Sequence, residues 1–72
     1  MSDTQTFPVT GLTCGHCVGA VTSEISEIPG VTDVSVDLVA GGTSTVHVTA
    51  DQQVSPEQVS AALDEAGNYQ LA

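Results

Sequence analysis

The sequence predicts a small α+β fold whose elements follow the order strand, helix, strand, strand, helix, strand. Three observations predict it: two stretches with a helical apolar period, alternating apolar residues around them, and a glycine pair between the middle strands. Each helix has one apolar stripe, so both are expected to cover one face of a four-stranded antiparallel sheet. Residues 1–72 are predicted to form a single domain, with residues 1–5 as a short polar tail.

The first strand and the first helix are predicted on either side of the cysteines. Phe7 and Val9 alternate with polar residues, although Pro8 between them cannot donate a hydrogen bond to a central ladder. A helix is predicted from Gly15 to Ile28, and the Pro29-Gly30 pair predicts its end. Its buried stripe is Val18, Val21, Ile25 and Ile28.

Two strands with alternating apolar residues follow, and Gly41-Gly42 between them suits a hairpin turn. The apolar positions of the first are Val34, Val36 and Leu38, and those of the second are Val46, Val48 and Ala50. In this register His47 falls on the polar face and is predicted to be a solvated surface residue.

The second helix has strong local signals at both ends. Ser55 is a suitable N-cap, Pro56 occupies the first helical position and Gln58 completes a capping box. Gly67 is a natural C-cap, and a short last strand is predicted around Tyr69 and Leu71. A hydrophobic staple is predicted between Val54 and Val59, and the buried stripe is Val59, Ala62, Leu63 and Ala66. The complete order, βαββαβ, is that of the ferredoxin-like sandwich.

The charge balance is extreme because bases are missing. Nine acidic residues and no Lys or Arg give a formal net charge of −9, so any side-chain ion pair must use a histidine or the amino terminus. Nucleic-acid binding and polybasic membrane docking are excluded, since both need basic side chains. No signal peptide or membrane span is predicted, which indicates a cytoplasmic, reducing location. The charge serves either solubility or steering toward a basic partner.

The segment Gly11-Leu12-Thr13-Cys14-Gly15-His16-Cys17 contains the only two cysteines. The start of a helix favours thiolates, and two thiolates on one turn suit a single soft cation. A structural zinc site needs four ligands, whereas only His16 and His47 are available as additions, so the pattern favours Cu(I), with Ag(I) or Hg(II) as mimics. His16 is either a third ligand or an exposed residue. The Thr13 hydroxyl is predicted to bond backbone near Cys14.

This motif, in this loop of this topology, resembles the heavy-metal-associated domain family, which includes small bacterial cytosolic copper chaperones. The similarity extends from Phe7 to Leu71 and includes Ile28-Pro29-Gly30-Val31 and Val34-Ser35-Val36-Asp37. Leu12 replaces the Met of the family signature. In the family that Met packs inward beneath the metal loop, so the resemblance implies the same for Leu12. Asn68 separates Gly67 from Tyr69, where many bacterial members have Gly-Tyr, so Tyr69 is predicted either at the edge of the core or beside the metal site.

The resemblance implies a copper(I) chaperone rather than an enzyme. Cys14 and Cys17 would bind one metal ion and pass it by thiolate exchange to the metal-binding domain of a copper-transporting P-type ATPase. A monomer or a metal-bridged dimer is expected. One alternative is a detached regulatory domain of a heavy-metal ATPase, or a mercury- or cadmium-binding protein.

A second alternative is a thiol-disulfide oxidoreductase, since Cys-Gly-His-Cys is also a disulfide-isomerase motif. The short chain, the absence of Trp and the missing βα unit before the motif argue against that alternative.

Overall fold

The computed structural model describes residues 3–13 and 15–72 and has the predicted element order. Its helices are α1 (Gly15–Ser26) and α2 (Pro56–Ala66), and its strands are β1 (Asp3–Thr10), β2 (Val31–Asp37), β3 (Ser44–Ala50) and β4 (Gln70–Leu71). The strands form one antiparallel sheet in the order β2-β3-β1-β4. The predicted four-stranded ferredoxin-like fold is therefore confirmed.

The core lies between the helices and one face of the sheet. Val46, Val48 and Ala50 of β3 are buried, and the residues between them lie on the opposite face. Val21 and Ile25 of α1 belong to the same core cluster as Val59, Ala62 and Leu63 of α2. Both helices thus cover one face, as predicted, and the other face is left open.

The predicted polar tail is wrong for residues 3–5, because β1 already begins at Asp3 and pairs there with Ala50 of β3. The Gln5 side chain ties this polar stretch to a further segment of the chain. Its Nε2 donates to the Val54 carbonyl at 3.0 Å, and its Oε1 accepts from the Val54 N–H at 2.8 Å. These bonds satisfy backbone groups that lead into α2.

Pro8 lies in a central strand without disrupting the sheet. Its carbonyl accepts from the Ala72 N–H at 2.9 Å, so its nitrogen faces the same neighbour, the two-residue strand β4. The missing donor therefore falls where β4 ends, and the long pairing of β1 with β3 is retained.

The β2–β3 connection is longer than the predicted hairpin turn. β2 ends at Asp37, so Leu38 lies in the loop and is 40% exposed, contrary to its predicted burial. The Gly42 N–H bonds the Val39 carbonyl at 3.1 Å, and Gly41 has a φ of +75°, as the third position of a type II turn requires. Glycine therefore forms the turn as predicted, but loop residues separate it from the strand.

The helix ends are set by local hydrogen bonds. α1 ends at Ser26 rather than Ile28, because Glu27 and Ile28 donate to carbonyls three residues back, at 3.2 and 3.0 Å. At α2 the Ser55–Gln58 capping box is confirmed, and the Gly67 N–H bonds the Leu63 carbonyl at 3.0 Å. The last strand contains Leu71 but begins at Gln70, after Tyr69.

His47 lies on the open face of the sheet, as predicted, and it is partnered. Its Nε2 lies 2.9 Å from Asp37 Oδ2, a contact that becomes an ion pair when the imidazole is protonated. Among the described helices, neither is long and apolar enough to cross a membrane.

Candidate metal-binding site

The loop between β1 and α1 contains the cysteine motif. Cys14 lies outside the described residues, so its role as a ligand remains a prediction. Cys17 lies in the first turn of α1, half-buried, and packs against the core cluster. That turn has no acidic residue, so no carboxylate competes with a thiolate for the positive end of the helix.

Thr13 contacts the thiol directly. Its Oγ1 lies 3.7 Å from Cys17 Sγ, a sulfur hydrogen bond in which either atom can be the donor. The predicted bond from this hydroxyl to backbone near Cys14 falls partly outside the described residues, and the partner that the structure shows is the sulfur instead. When Cys17 is a thiolate, the hydroxyl is the only donor of the pair, so it stabilises the charged sulfur.

The two histidines are separated from each other in the structure. His16 is exposed on the first turn of α1, next to Cys17 in the chain, whereas His47 lies on the open sheet face against Asp37. Across residues 3–13 and 15–72, no three His, Cys, Asp or Glu side chains converge on one point that would hold a metal ion. The described residues thus offer the Cys17 sulfur, with exposed His16 beside it.

Leu12 anchors the loop from below. Its side chain is fully buried in the core cluster, which confirms the inward packing expected at this position. Its carbonyl accepts a hydrogen bond from the Gly41 N–H at 3.4 Å, so the β2–β3 loop supports the motif. The sequence predicts only a turn at Gly41, because nothing local indicates its contact with the distant Leu12.

Gly11 and Tyr69 hold the start of the loop. Gly11 has a φ of +98°, and a Cβ there would lie 2.9 Å from the Asn68 carbonyl oxygen and 3.4 Å from Tyr69 Cδ1. A Cβ on Gly67 would lie 3.0 Å from Tyr69 Cε2, so the ring packs between two glycines. Tyr69 therefore combines core-edge packing with a position next to the first residue of the motif, despite the intervening Asn68.

The arrangement defines a class: a small βαββαβ domain with a thiol at the start of its first helix, preceded by a buried leucine and a tightly packed glycine. The chain belongs to the heavy-metal-associated domain family, whose family model matches residues 6–69. This confirms the family suggested by the motif and its topology.

Two curated relatives show the contexts in which similar chains occur. The copper chaperone CopZ of Bacillus subtilis (strain 168) is 38% identical over 69 residues, covering 94% of this chain and 94% of that protein. Human copper-transporting ATPase 2 is also 38% identical, over 64 residues that cover 89% of this chain but only 4% of the ATPase. The relatives thus include both a free-standing chaperone and a short segment of a transporter.

Solved structures agree with the fold. A CopZ metallochaperone superposes with a TM-score of 0.74 at 31% identity, covering 97% of this chain and 100% of that one. The N-terminal domain of a potential copper-translocating P-type ATPase from Bacillus subtilis, solved in its Cu(I)-loaded state, gives 0.77 at 25% identity, covering 99% of this chain and 85% of that one.

Proposed function

We propose that this protein is a copper(I) chaperone that binds one ion through Cys14 and Cys17. The observation that carries the proposal is the placement of Cys17 on an acid-free first helical turn, with the Thr13 hydroxyl 3.7 Å from its sulfur. Sulfur ligands select soft cations, and a site with two thiolates leaves room for a third from a partner. The similarity to CopZ over nearly the whole of both chains supports this function.

Delivery would proceed by ligand exchange with the metal-binding domain of a copper-transporting P-type ATPase. A partner thiolate joins the metal while both cysteines still hold it, and then one bond at a time moves to the partner. The similarity to an ATPase segment supports this partner, because donor and acceptor would share one fold. The protein would work in the cytoplasm as a single domain, where reducing conditions keep thiols available.

The test is titration of reduced protein with Cu(I) against a competing chelator, followed by native mass measurement. Cys14→Ser and Cys17→Ser are expected to abolish tight binding. His16→Ala is the matched control, because His16 is exposed on the same turn, and it is expected to change affinity only slightly. Tight binding by the double serine variant would overturn the assigned site, and a large loss in His16→Ala would make His16 a ligand. The mass separates a monomer from a metal-bridged dimer.

The human ATPase similarity favours a second function, a regulatory metal-binding domain of a larger transporter. The two functions differ in what happens to the metal. A chaperone transfers Cu(I) to a separate acceptor domain, whereas a regulatory domain retains it and changes the activity of its own transporter. Catalysed insulin reduction would instead support the oxidoreductase alternative. A chaperone is expected to bind Cu(I) stoichiometrically and to show little turnover in that assay.

A further inference from the structure

A groove lies between α1 and α2, away from the cysteine motif. Its volume is about 300 Å³, and its floor is apolar, formed by Ile28, Pro29, Ala61 and Ala62. A helix rises 1.5 Å per residue, so Glu24 at the groove lies about 10 Å along α1 from Cys17. The groove is therefore a surface separate from the metal-binding loop.

Three carboxylates line this apolar floor: Glu24, Glu27 and Glu65. Burial, and then the neighbouring charges of Glu27 and Glu65, raise the pKa of Glu24 above its ordinary value. The chain has no Lys or Arg that could neutralise them. No Lys or Arg of this chain can therefore relieve the repulsion between these groups, whereas protons or a cation from another molecule can.

The missing bases also limit what can occupy the groove. A second copy of this chain would bring further acidic side chains and no Lys or Arg. A nucleic acid or an anionic lipid surface would be repelled for the same reason. The complementary ligand has an aliphatic portion for the floor and a cationic group for the rim, which is the chemistry of an arginine side chain.

We propose that the groove between α1 and α2 docks an arginine-containing segment of a partner protein. The aliphatic stem of the arginine lies over Ala61 and Ala62, and its guanidinium lies between Glu24 and Glu65. Neighbouring apolar side chains of the segment cover Ile28 and Pro29. This contact requires neither cysteine and no metal, so it goes beyond the proposed chaperone function and is tested independently of it.

The test is an NMR titration of metal-free, reduced protein with the peptide acetyl-Leu-Arg-Leu-Leu-Arg-amide at low salt. Amide shifts are expected to centre on Ile28, Ala61 and Ala62. A peptide with citrulline in place of arginine keeps the shape but loses the charge, and it is expected to bind at least about fivefold more weakly. Equal binding of both peptides, or shifts centred on the cysteine loop or the open sheet face, would overturn the proposal.

A matched pair of variants separates the groove from net charge. Glu24→Gln with Glu65→Gln removes two charges from the rim and is expected to weaken binding about fivefold. Asp3→Asn with Asp33→Asn removes the same number from exposed positions on β1 and β2, and it is expected to leave binding within about twofold. Equal weakening by the two pairs would mean that overall charge alone attracts the peptide, and the groove would then have no specific role.

The Glu24→Gln, Glu65→Gln variant is expected to fold, because it removes like-charge repulsion and keeps side-chain volume. Its Cu(I) affinity is expected to match that of the native protein. A failure of Cu(I) binding in the native protein would refute the proposed function and leave the groove proposal standing. A failure of the peptide titration would refute the groove proposal and leave the proposed function standing.

Discussion

Replacing Gly11 by alanine tests whether the start of the cysteine loop is held by backbone geometry. Gly11 has a φ of +98°, in a region that costs an L-residue about 1–2 kcal/mol. The added methyl would also lie 2.9 Å from the Asn68 carbonyl oxygen, a backbone atom that cannot rotate away. Forcing such a contact typically costs about 1–3 kcal/mol. The expected loss is therefore about 2–5 kcal/mol in the free energy of unfolding.

This loss is large for so small a domain. A 72-residue chain is expected to have a total stability of about 4–11 kcal/mol. Each kcal/mol lowers the midpoint of thermal unfolding by about 4–8 °C at this size, so a fall of at least about 8 °C is expected. The assay is thermal and urea unfolding of metal-free, reduced protein, followed by circular dichroism.

Gly19→Ala is the matched control, because it makes the same chemical change inside α1. A Cβ at Gly19 meets nothing within 4 Å, and alanine is the better helix former by about 0.5–1 kcal/mol. The two substitutions should therefore have opposite signs. If the free energy of unfolding of Gly11→Ala lay within about 0.5 kcal/mol of the native value, the claim that this loop depends on a close glycine contact would be refuted.

Substitutions at three further positions have expected outcomes in the same unfolding assays. Gln5→Ala leaves the N–H and carbonyl of Val54 without their side-chain partners, so the free energy of unfolding is expected to fall by about 2–4 kcal/mol. A fall of less than about 0.5 kcal/mol would contradict the assigned bonds. Leu12→Ala should lower the free energy of unfolding by about 2–5 kcal/mol, because Leu12 is fully buried. Leu12→Met should lower it by less than about 1.5 kcal/mol, because the volume is nearly conserved. Similar losses for both would argue against tight packing around Leu12. Glu24 has a pKa raised above 4.5, so the folded state holds its proton more tightly and its stabilising contribution is lost as pH rises through the folded pKa. Glu24→Gln should therefore gain thermal stability relative to the native protein as pH rises above 4.5, and a difference that does not change with pH would contradict this.

The sequence predicts best the elements whose signals are local. Both ends of α2 are correct because Ser55, Gln58 and Gly67 bond to backbone groups within the same few residues. The end of β2 is not predicted, because Val34, Val36 and Leu38 alternate evenly while the strand stops at Asp37. Alternation describes which face a residue lies on, but it does not say where the partner strand ends.

Contacts between distant segments are where prediction from sequence fails. The sequence predicts a polar tail that includes Gln5, whose hydrogen-bond partner Val54 is 49 residues away. At the site, the motif and the inward packing of Leu12 are predicted, but the support from Gly41 and from Tyr69 depends on how three loops meet. The groove between the helices is likewise not predicted, because it depends on how α1 and α2 pack.

Gly11 and Leu12, at the start of the cysteine loop, are held by contacts that do not involve a metal. Leu12 is buried in the core, the Gly41 N–H bonds its carbonyl, and Gly11 packs against Tyr69. A structural zinc domain, by contrast, gains its folding free energy from the metal and unfolds without it. A protein that delivers a metal must release it and remain ready to bind again. Because the core and the neighbouring loops already hold Gly11 and Leu12, the fold is expected to survive release of the proposed cargo.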